Sequence, residues 1–98
     1  MSYYKDDPIE FQLDTELDLT DATDLYIKYE LHNGDTGYVT GVKDGDDDSV
    51  VVGNLPANIS EIGILYYQPY ISWDGGTSFY HGDKKYKEIE EPISVTIP

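Results

Sequence analysis

The stretch from Leu17 to Leu31 constrains the fold of this chain more than any other. In its second half, Leu25, Ile27, Tyr29 and Leu31 alternate with Tyr26, Lys28 and Glu30. A period of two over a run of this length is the pattern of a half-buried β-strand, with one face on a core and the other in water. The first half places Asp18, Thr20, Asp21, Thr23 and Asp24 around a single apolar residue, Leu19. Asp and Thr side chains bond to nearby backbone groups and compete with regular structure, so this half suits a corner leading into the strand. Asn33-Gly34 follows, a dipeptide that favours a β-hairpin. The strand 25–31 is therefore expected at the centre of a small all-β domain.

The remaining elements follow from the same rule. Ile9, Phe11 and Leu13 alternate with polar residues and predict a strand over 9–13. Leu17 and Leu19, in the acidic corner 14–24, are expected to plug the end of the core. A strand is expected over 38–43, weakened or bulged at Gly41. Asp44 to Asp48 forms a turn, and 49–52 is a β-branched strand that Gly53 to Asn58 breaks. Residues 59–62 suit one helical turn capped by Asn58. The longest strand is 64–73, with Leu65, Tyr67, Ile71 and Trp73 on one face and Tyr66, Gln68, Tyr70 and Ser72 on the other. Pro69 cannot donate to a ladder, which predicts an edge strand or a bulge. Asp74-Gly75-Gly76-Thr77 turns the chain, 79–81 begins the return, and 89–97 is the closing strand. Six to seven short strands with regular turn signals predict a single antiparallel β-sandwich over 9–98. Residues 1–8 are polar and end in Pro8, and are expected to be an arm that orders against the domain edge or a neighbour.

Charge narrows the functional classes. The formal charge is −14, from 20 acids and six bases, and every base is a lysine. Residues 1–50 hold 14 of the acids. Such a field repels phosphates, and no arginine is present for bidentate phosphate contacts, so direct nucleic-acid binding is not expected. The chain has no cysteine, which removes disulfides and thiolate metal sites. No apolar run reaches the length of a membrane span, and Met1 to Asp7 contains no apolar signal core, so no membrane partner and cytoplasmic synthesis are expected.

No motif carries catalysis. Asp44, Asp46 and Asp48 alternate like the start of a calcium loop, but Ser49 stands where that loop needs Gly and Leu55 where it needs Glu. A solvated acidic turn is the preferred reading. His32 and His81 lie at turns without ligand spacing, no nucleophile elbow groups Ser, His and Asp, and Asn58-Ile59-Ser60 is a sequon without a secretory context. No catalytic, cofactor or metal residue is assigned. The ten tyrosines are a different matter, because they cannot all be core. Tyr and Trp bury large areas while keeping a polar tip, which favours them at protein interfaces. Tyr66 and Tyr70 on one strand face, and Tyr3 and Tyr4 in the arm, are the candidate interface residues.

Three stretches carry a family resemblance: Ile9-Glu10-Phe11-Gln12-Leu13, Asp18-Leu19-Thr20-Asp21-Ala22-Thr23 and Tyr26-Ile27-Lys28-Tyr29. Two later features join them, Gly63 to Tyr70 with Tyr67-Gln68-Pro69 inside it, and the Trp73-Asp74-Gly75-Gly76 hairpin before a closing strand. In this order they resemble the immunoglobulin-like domain of bacteriophage virion proteins, and are similar to the N-terminal domain of phage baseplate upper proteins. The resemblance spans roughly residues 8–97, about one domain. It implies an immunoglobulin-like sandwich and a non-enzymatic structural protein of the virion. The chain ends at Pro98 without a coiled-coil or fibre region, so the expected role is a decoration, adaptor or accessory subunit on a head, tail or baseplate scaffold. Its partners would be other virion proteins, with several copies per particle. Two other readings stay open: an acidic DNA mimic that inhibits a host DNA-binding defence protein, and a carbohydrate-binding module that stacks sugars on exposed aromatics. The mimic needs carboxylates at phosphate-like spacing, roughly 7 Å, which alternate strand positions supply. Asp14, Glu16 and Asp18, and Asp44, Asp46 and Asp48, have that alternation.

Overall fold

A computed structural model describes residues 2–4, 9–55 and 62–90, the first three by their backbone alone. The chain forms β1 (Ser2–Tyr4), β2 (Glu10–Asp14), β3 (Asp24–Glu30), β4 (Thr36–Thr40), β5 (Val42–Lys43), β6 (Val50–Asn54), β7 (Gly63–Ser72), β8 (Tyr80–His81) and β9 (Lys85–Glu90). One sheet has the order β1-β9-β7-β3-β4, with β8 also paired to β7, and the other has the order β2-β6-β5. Every pairing is antiparallel except β1 on β9. The three-stranded sheet corresponds to strands B, E and D of an immunoglobulin fold. The larger sheet corresponds to G, F, C and C′ of the variable type, with β1 added beside β9. The protein is an immunoglobulin-like β-sandwich.

Alternation drives each inner face. In β2, Phe11 and Leu13 are buried, while Glu10, Gln12 and Asp14 are exposed. In β3, Ile27 is fully buried, and Leu25 and Tyr29, with Leu31 just beyond the strand, are half-buried against the core. From β7 come Leu65, Tyr67 and Ile71. Phe11 of one sheet stacks on Tyr67 of the other, with ring centroids 4.7 Å apart. Leu19 closes the end of the core at 1% exposure, as its place in the corner predicts, but Leu17 does not and stays 38% exposed. Glu16 beside it has a positive φ of 59°, and this local reversal separates the two leucines.

Two chain breakers do more than weaken strands. The stretch expected as one strand over 38–43 is two strands in different sheets, β4 on β3 and β5 on β6. The crossing falls on Gly41, whose N–H donates to the Leu25 carbonyl at 2.8 Å. A Cβ there would lie 2.6 Å from Val51 Cγ2, so no larger residue fits without displacing the core. Pro69 also departs from expectation, because β7 is a central strand between β3 and β9 rather than an edge. The partner on that side is interrupted instead. β9 pairs with β7 only as far as Tyr67, and β8 takes over at Tyr70. Residues 82–84 bridge the gap, Gly82 N–H donates to the Pro69 carbonyl at 3.1 Å, and a Cβ on Gly82 would strike the Pro69 ring. The missing N–H of the proline therefore faces a place where no strand asks for it.

Other differences are smaller. Gly53 does not end its strand. It stays in β6 opposite Phe11, and the strand runs to Asn54. Trp73 lies outside β7 and is 37% exposed instead of sharing the core face, while Ser72 is fully buried. The closing strand covers Lys85–Glu90, and most of the expected strand 89–97 lies outside the described residues, as does most of the helical turn at 59–62. Among the described residues there are nine strands against six to seven expected, because the expected strand over 38–43 is two and β1 is added. The arm is expected to order against a domain edge or a neighbour, and residues 2–4 pair with β9 of their own domain.

The inner and outer positions of β3 differ enough to test the register. Ile27→Ala should cost about 2–5 kcal/mol, the range for a fully buried aliphatic truncation. Lys28→Ala, which loses a partly exposed contact with the Tyr70 ring and an exposed hydrogen bond to His81, should cost about 0.5–1 kcal/mol. Urea unfolding of the two variants measures both, and equal losses would refute this register.

Candidate functional site

The outer face of the larger sheet collects most of the tyrosines that the core leaves out. Strand pairing sets Tyr26 opposite Tyr70, Lys28 opposite Gln68 and Tyr38, and Glu30 opposite Tyr66. Tyr66 in turn lies opposite Tyr86 of β9. All of these except Tyr86 line an open groove of about 550 Å³, with Thr36, Gly37 and Lys84 at its margins. That volume is within the range of small-ligand and peptide-side-chain sites.

Phe79 organises one end of this face. Its ring stacks on Tyr70 with centroids 4.1 Å apart and planes 2° from parallel, and lies 6.4 Å from Tyr26. Lys28 Nζ sits 3.7 Å from the Tyr70 ring centroid and donates to His81 Nε2 at 3.1 Å. A lysine held over a ring face and bonded at its tip keeps its charge close to the groove wall. Tyr26 and Tyr38 meet edge to face at 5.5 Å, and Tyr66 and Tyr86 at 6.4 Å. Tyr38 and Tyr86 are 67% and 68% exposed. The face thus offers flat aromatic surface with a few polar groups between the rings: Lys28, Glu30 and Gln68. Such a surface can bury an extended apolar or aromatic ligand and orient it.

The sequence candidates are distributed unequally. Tyr66 and Tyr70 share this face, and both line the groove. Tyr3 and Tyr4 are in register with Ile89 and Glu90 at the opposite side of the sheet, and their side chains lie outside the described residues. Tyr26, Tyr38, Phe79 and Tyr86 also belong to the face, although the sequence reading did not single them out. Tyr26 carried a readable signal, since it alternates with Ile27. Phe79 did not, because its position depends on how the Asp74-to-Ser78 hairpin folds back over β7.

The acids gather elsewhere. The corner 15–23, the turn 44–49 and the hairpin 73–79 lie at one end of the sandwich. Thr15 N–H donates to Ser49 O, Leu19 N–H to Asp48 O, Trp73 Nε1 to Asp18 O and Gly75 N–H to Thr23 Oγ1. Asp14, Glu16, Asp18, Asp21, Asp24, Asp44, Asp46, Asp47, Asp48 and Asp74 share that end with one lysine, Lys43, which pairs with Asp48 at 2.7 Å. Many of these carboxylates serve their own backbone. Asp14 accepts from Glu16 N–H, Asp18 from Thr20 N–H, and Asp44 from Asp46 N–H. The alternation in both acidic runs is therefore that of successive Asx turns, not of an extended row. Among the described residues, no group of three His, Cys, Asp or Glu is placed to hold a metal ion.

Hydrogen bonding holds three of these acids below the usual carboxylate range. For Asp18 the Thr20 hydroxyl leads and the Thr20 N–H follows. For Asp47 the Ser49 N–H leads, ahead of the Ser49 hydroxyl. For Asp74 the Ser78 N–H leads and the Ser72 hydroxyl follows. A carboxyl with a lowered folded pKa stabilises the protein above its ordinary value of 3.8, and that contribution is lost as pH falls through the lowered value. Asp74→Asn keeps an oxygen that can accept from Thr77 and Ser78 but does not titrate. The wild type should therefore lose more thermal stability than Asp74→Asn on acidification from about pH 6 to about pH 3. Parallel losses in melting scans at the two pH values would show that Asp74 ionisation does not support the hairpin.

No family model, curated protein or solved structure matches this chain.

Proposed function

We propose that this chain is a non-enzymatic structural protein of a bacteriophage particle, an adaptor, decoration or accessory subunit that docks on a head, tail or baseplate scaffold. The observation that carries this reading is the exposed aromatic groove on the outer face of β4, β3 and β7. A face built from Tyr26, Tyr38, Tyr66 and Tyr70 has the composition of a protein interface, where tyrosine buries area at little entropic cost. The sequence resemblance to virion immunoglobulin-like domains supports the particle context. Two of the lysines, Lys28 and Lys84, lie at this groove with Glu30, whereas ten of the 20 acids crowd one end of the sandwich. That division lets the molecule remain soluble through one surface and dock through another.

A buried tyrosine at an interface centre typically contributes 2 kcal/mol or more, roughly a thirtyfold effect on affinity. Tyr66→Ala removes a ring that is 39% exposed and should leave the domain folded while lowering incorporation into particles by more than about tenfold. Removal of residues 2–7 tests the arm separately. Wild-type incorporation of both variants would rule out both proposed docking elements.

The gathering of acids at one end favours a second reading, inhibition of a DNA-binding host protein by charge mimicry. It requires salt-sensitive competition with duplex DNA for such a protein. Copies of the chain in purified particles, with no competition, would remove it.

A further inference from the structure

Among the described residues, the free edge of β4 differs from those of β1, β2 and β5. Two bonds fix which way its backbone points. Leu31 N–H donates to Asp35 O and Gly41 N–H to Leu25 O, one at each end of the β3–β4 pair. Hydrogen-bonded pairs alternate with non-bonded ones along an antiparallel ladder. Leu31–Asp35, Tyr29–Gly37, Ile27–Val39 and Leu25–Gly41 are thus the bonded pairs. Thr36, Tyr38 and Thr40 are opposite Glu30, Lys28 and Tyr26 in non-bonded positions, so their N–H and C=O groups point away from β3. Among the described residues, no strand lies on that side.

Edges of this kind are usually guarded by charge, proline, a bulge or shortness. β2 presents Glu10 and Asp14, β1 has three residues, and β5 has two, ending in Lys43. β4 reads Thr-Gly-Tyr-Val-Thr and has none of these guards. Its pattern is also self-complementary about Tyr38. We propose that β4 pairs antiparallel with β4 of a second copy of this chain, about a two-fold axis at Tyr38, joining the two larger sheets into one.

In that register Tyr38 meets Tyr38 of the second copy, and Thr36 meets Thr40 in both directions. The Tyr38 pair exchanges both hydrogen bonds through the outward groups, and each Thr36 carbonyl accepts from the Thr40 N–H of the other copy, while the Thr40 carbonyl lies beside Gly53 of its own chain. Thr–Thr and Tyr–Tyr are favourable cross-strand neighbours, and both pairs fall on the outer face. The rows across the axis read Glu30–Thr36–Thr40–Tyr26 and Lys28–Tyr38–Tyr38–Lys28, so no carboxylate faces another. The two Lys28 ammonium groups are three strand spacings apart, about 14 Å, beyond the Debye length at physiological salt. The aromatic grooves of the two copies become neighbours on one surface. Repulsion between two chains of −14 is the main opposing force, so salt strengthens this association. An interface held by ion pairs would weaken instead.

The absence of cysteine makes the register directly testable. In a bonded antiparallel pair the Cα atoms are about 5.5 Å apart, within disulfide range. Tyr38→Cys should therefore give an intermolecular disulfide on mild oxidation. Thr36→Cys should cross-link at least about tenfold less, because its own copy lies roughly 13 Å along the strand. By sedimentation, the wild type should dimerise with rising concentration up to about 1 mM, more so in about 0.5 M salt than at low salt. Tyr38→Glu sets like charges opposite each other at a position 67% exposed in the monomer. It should weaken the dimer at least tenfold without changing the circular dichroism spectrum. Equal cross-linking at the two positions would overturn the proposal. A wild type that stays monomeric at about 1 mM in high salt would also overturn it, leaving the edge to a strand donated by a different protein.

Discussion

The two sheets of this sandwich meet through aromatic stacking where many immunoglobulin domains use a disulfide. Phe11 on the B-type strand and Tyr67 on the F-type strand stack at 4.7 Å between the sheets. In antibody domains the B–F bridge occupies the same two strands, with a tryptophan from strand C packed on it. Here the C-type strand supplies Ile27, fully buried and reaching across to Gly53 of the opposite sheet. An aromatic pair of this geometry adds about 0.5–1.5 kcal/mol beyond its buried area and does not depend on redox conditions. A cysteine-free chain can thus hold an immunoglobulin-like arrangement wherever it is made. The cost of this solution is that core volume must be exact, which explains why Gly41 and Gly53 lie beside Val51 and Ile27.

The division of labour between surfaces follows from that core. Because β2, β6 and β5 cover one face of β3 and β7, the other face of those strands is left to solvent or a partner. The chain places rings there, with Lys28, Glu30 and Lys84 among them. Half of the acids are instead in the connections at one end, where backbone and side-chain hydrogen bonds tie three separate segments together and Asx turns shape each of them. Many carboxylates in that cluster do local structural work, and their charge also keeps the molecule soluble. The outer face continues directly into the unguarded edge of β4.

Pro69 illustrates how a local rule can fail without its physics failing. Proline still lacks a donor, and the sheet still avoids asking for one. The chain meets both conditions by breaking the neighbouring strand in two, with Gly82 packed on the proline ring. Sequence reasoning that allows only an edge or a bulge leaves out this third arrangement, because the interruption lies in the partner and not in the strand that contains the proline.

The sequence alone determined the all-β class, the inner faces of β2, β3 and β7, the hairpin turns and the acidic corner. These depend on a period of two and on side chains that bond within a few residues, both local properties. It also marked Tyr66 and Tyr70 as members of one face. Only the tertiary structure decided that Gly41 is a crossing between sheets, that β7 is central, that Trp73 lies outside the core, and that Phe79 folds over Tyr70. Each of these depends on which strands become neighbours, a long-range choice that leaves no periodic trace. The aromatic groove belongs to the same category. Tyr26, Tyr38 and Tyr70 are far apart in the chain, and only the pairing of β3 with β4 and with β7 brings them together.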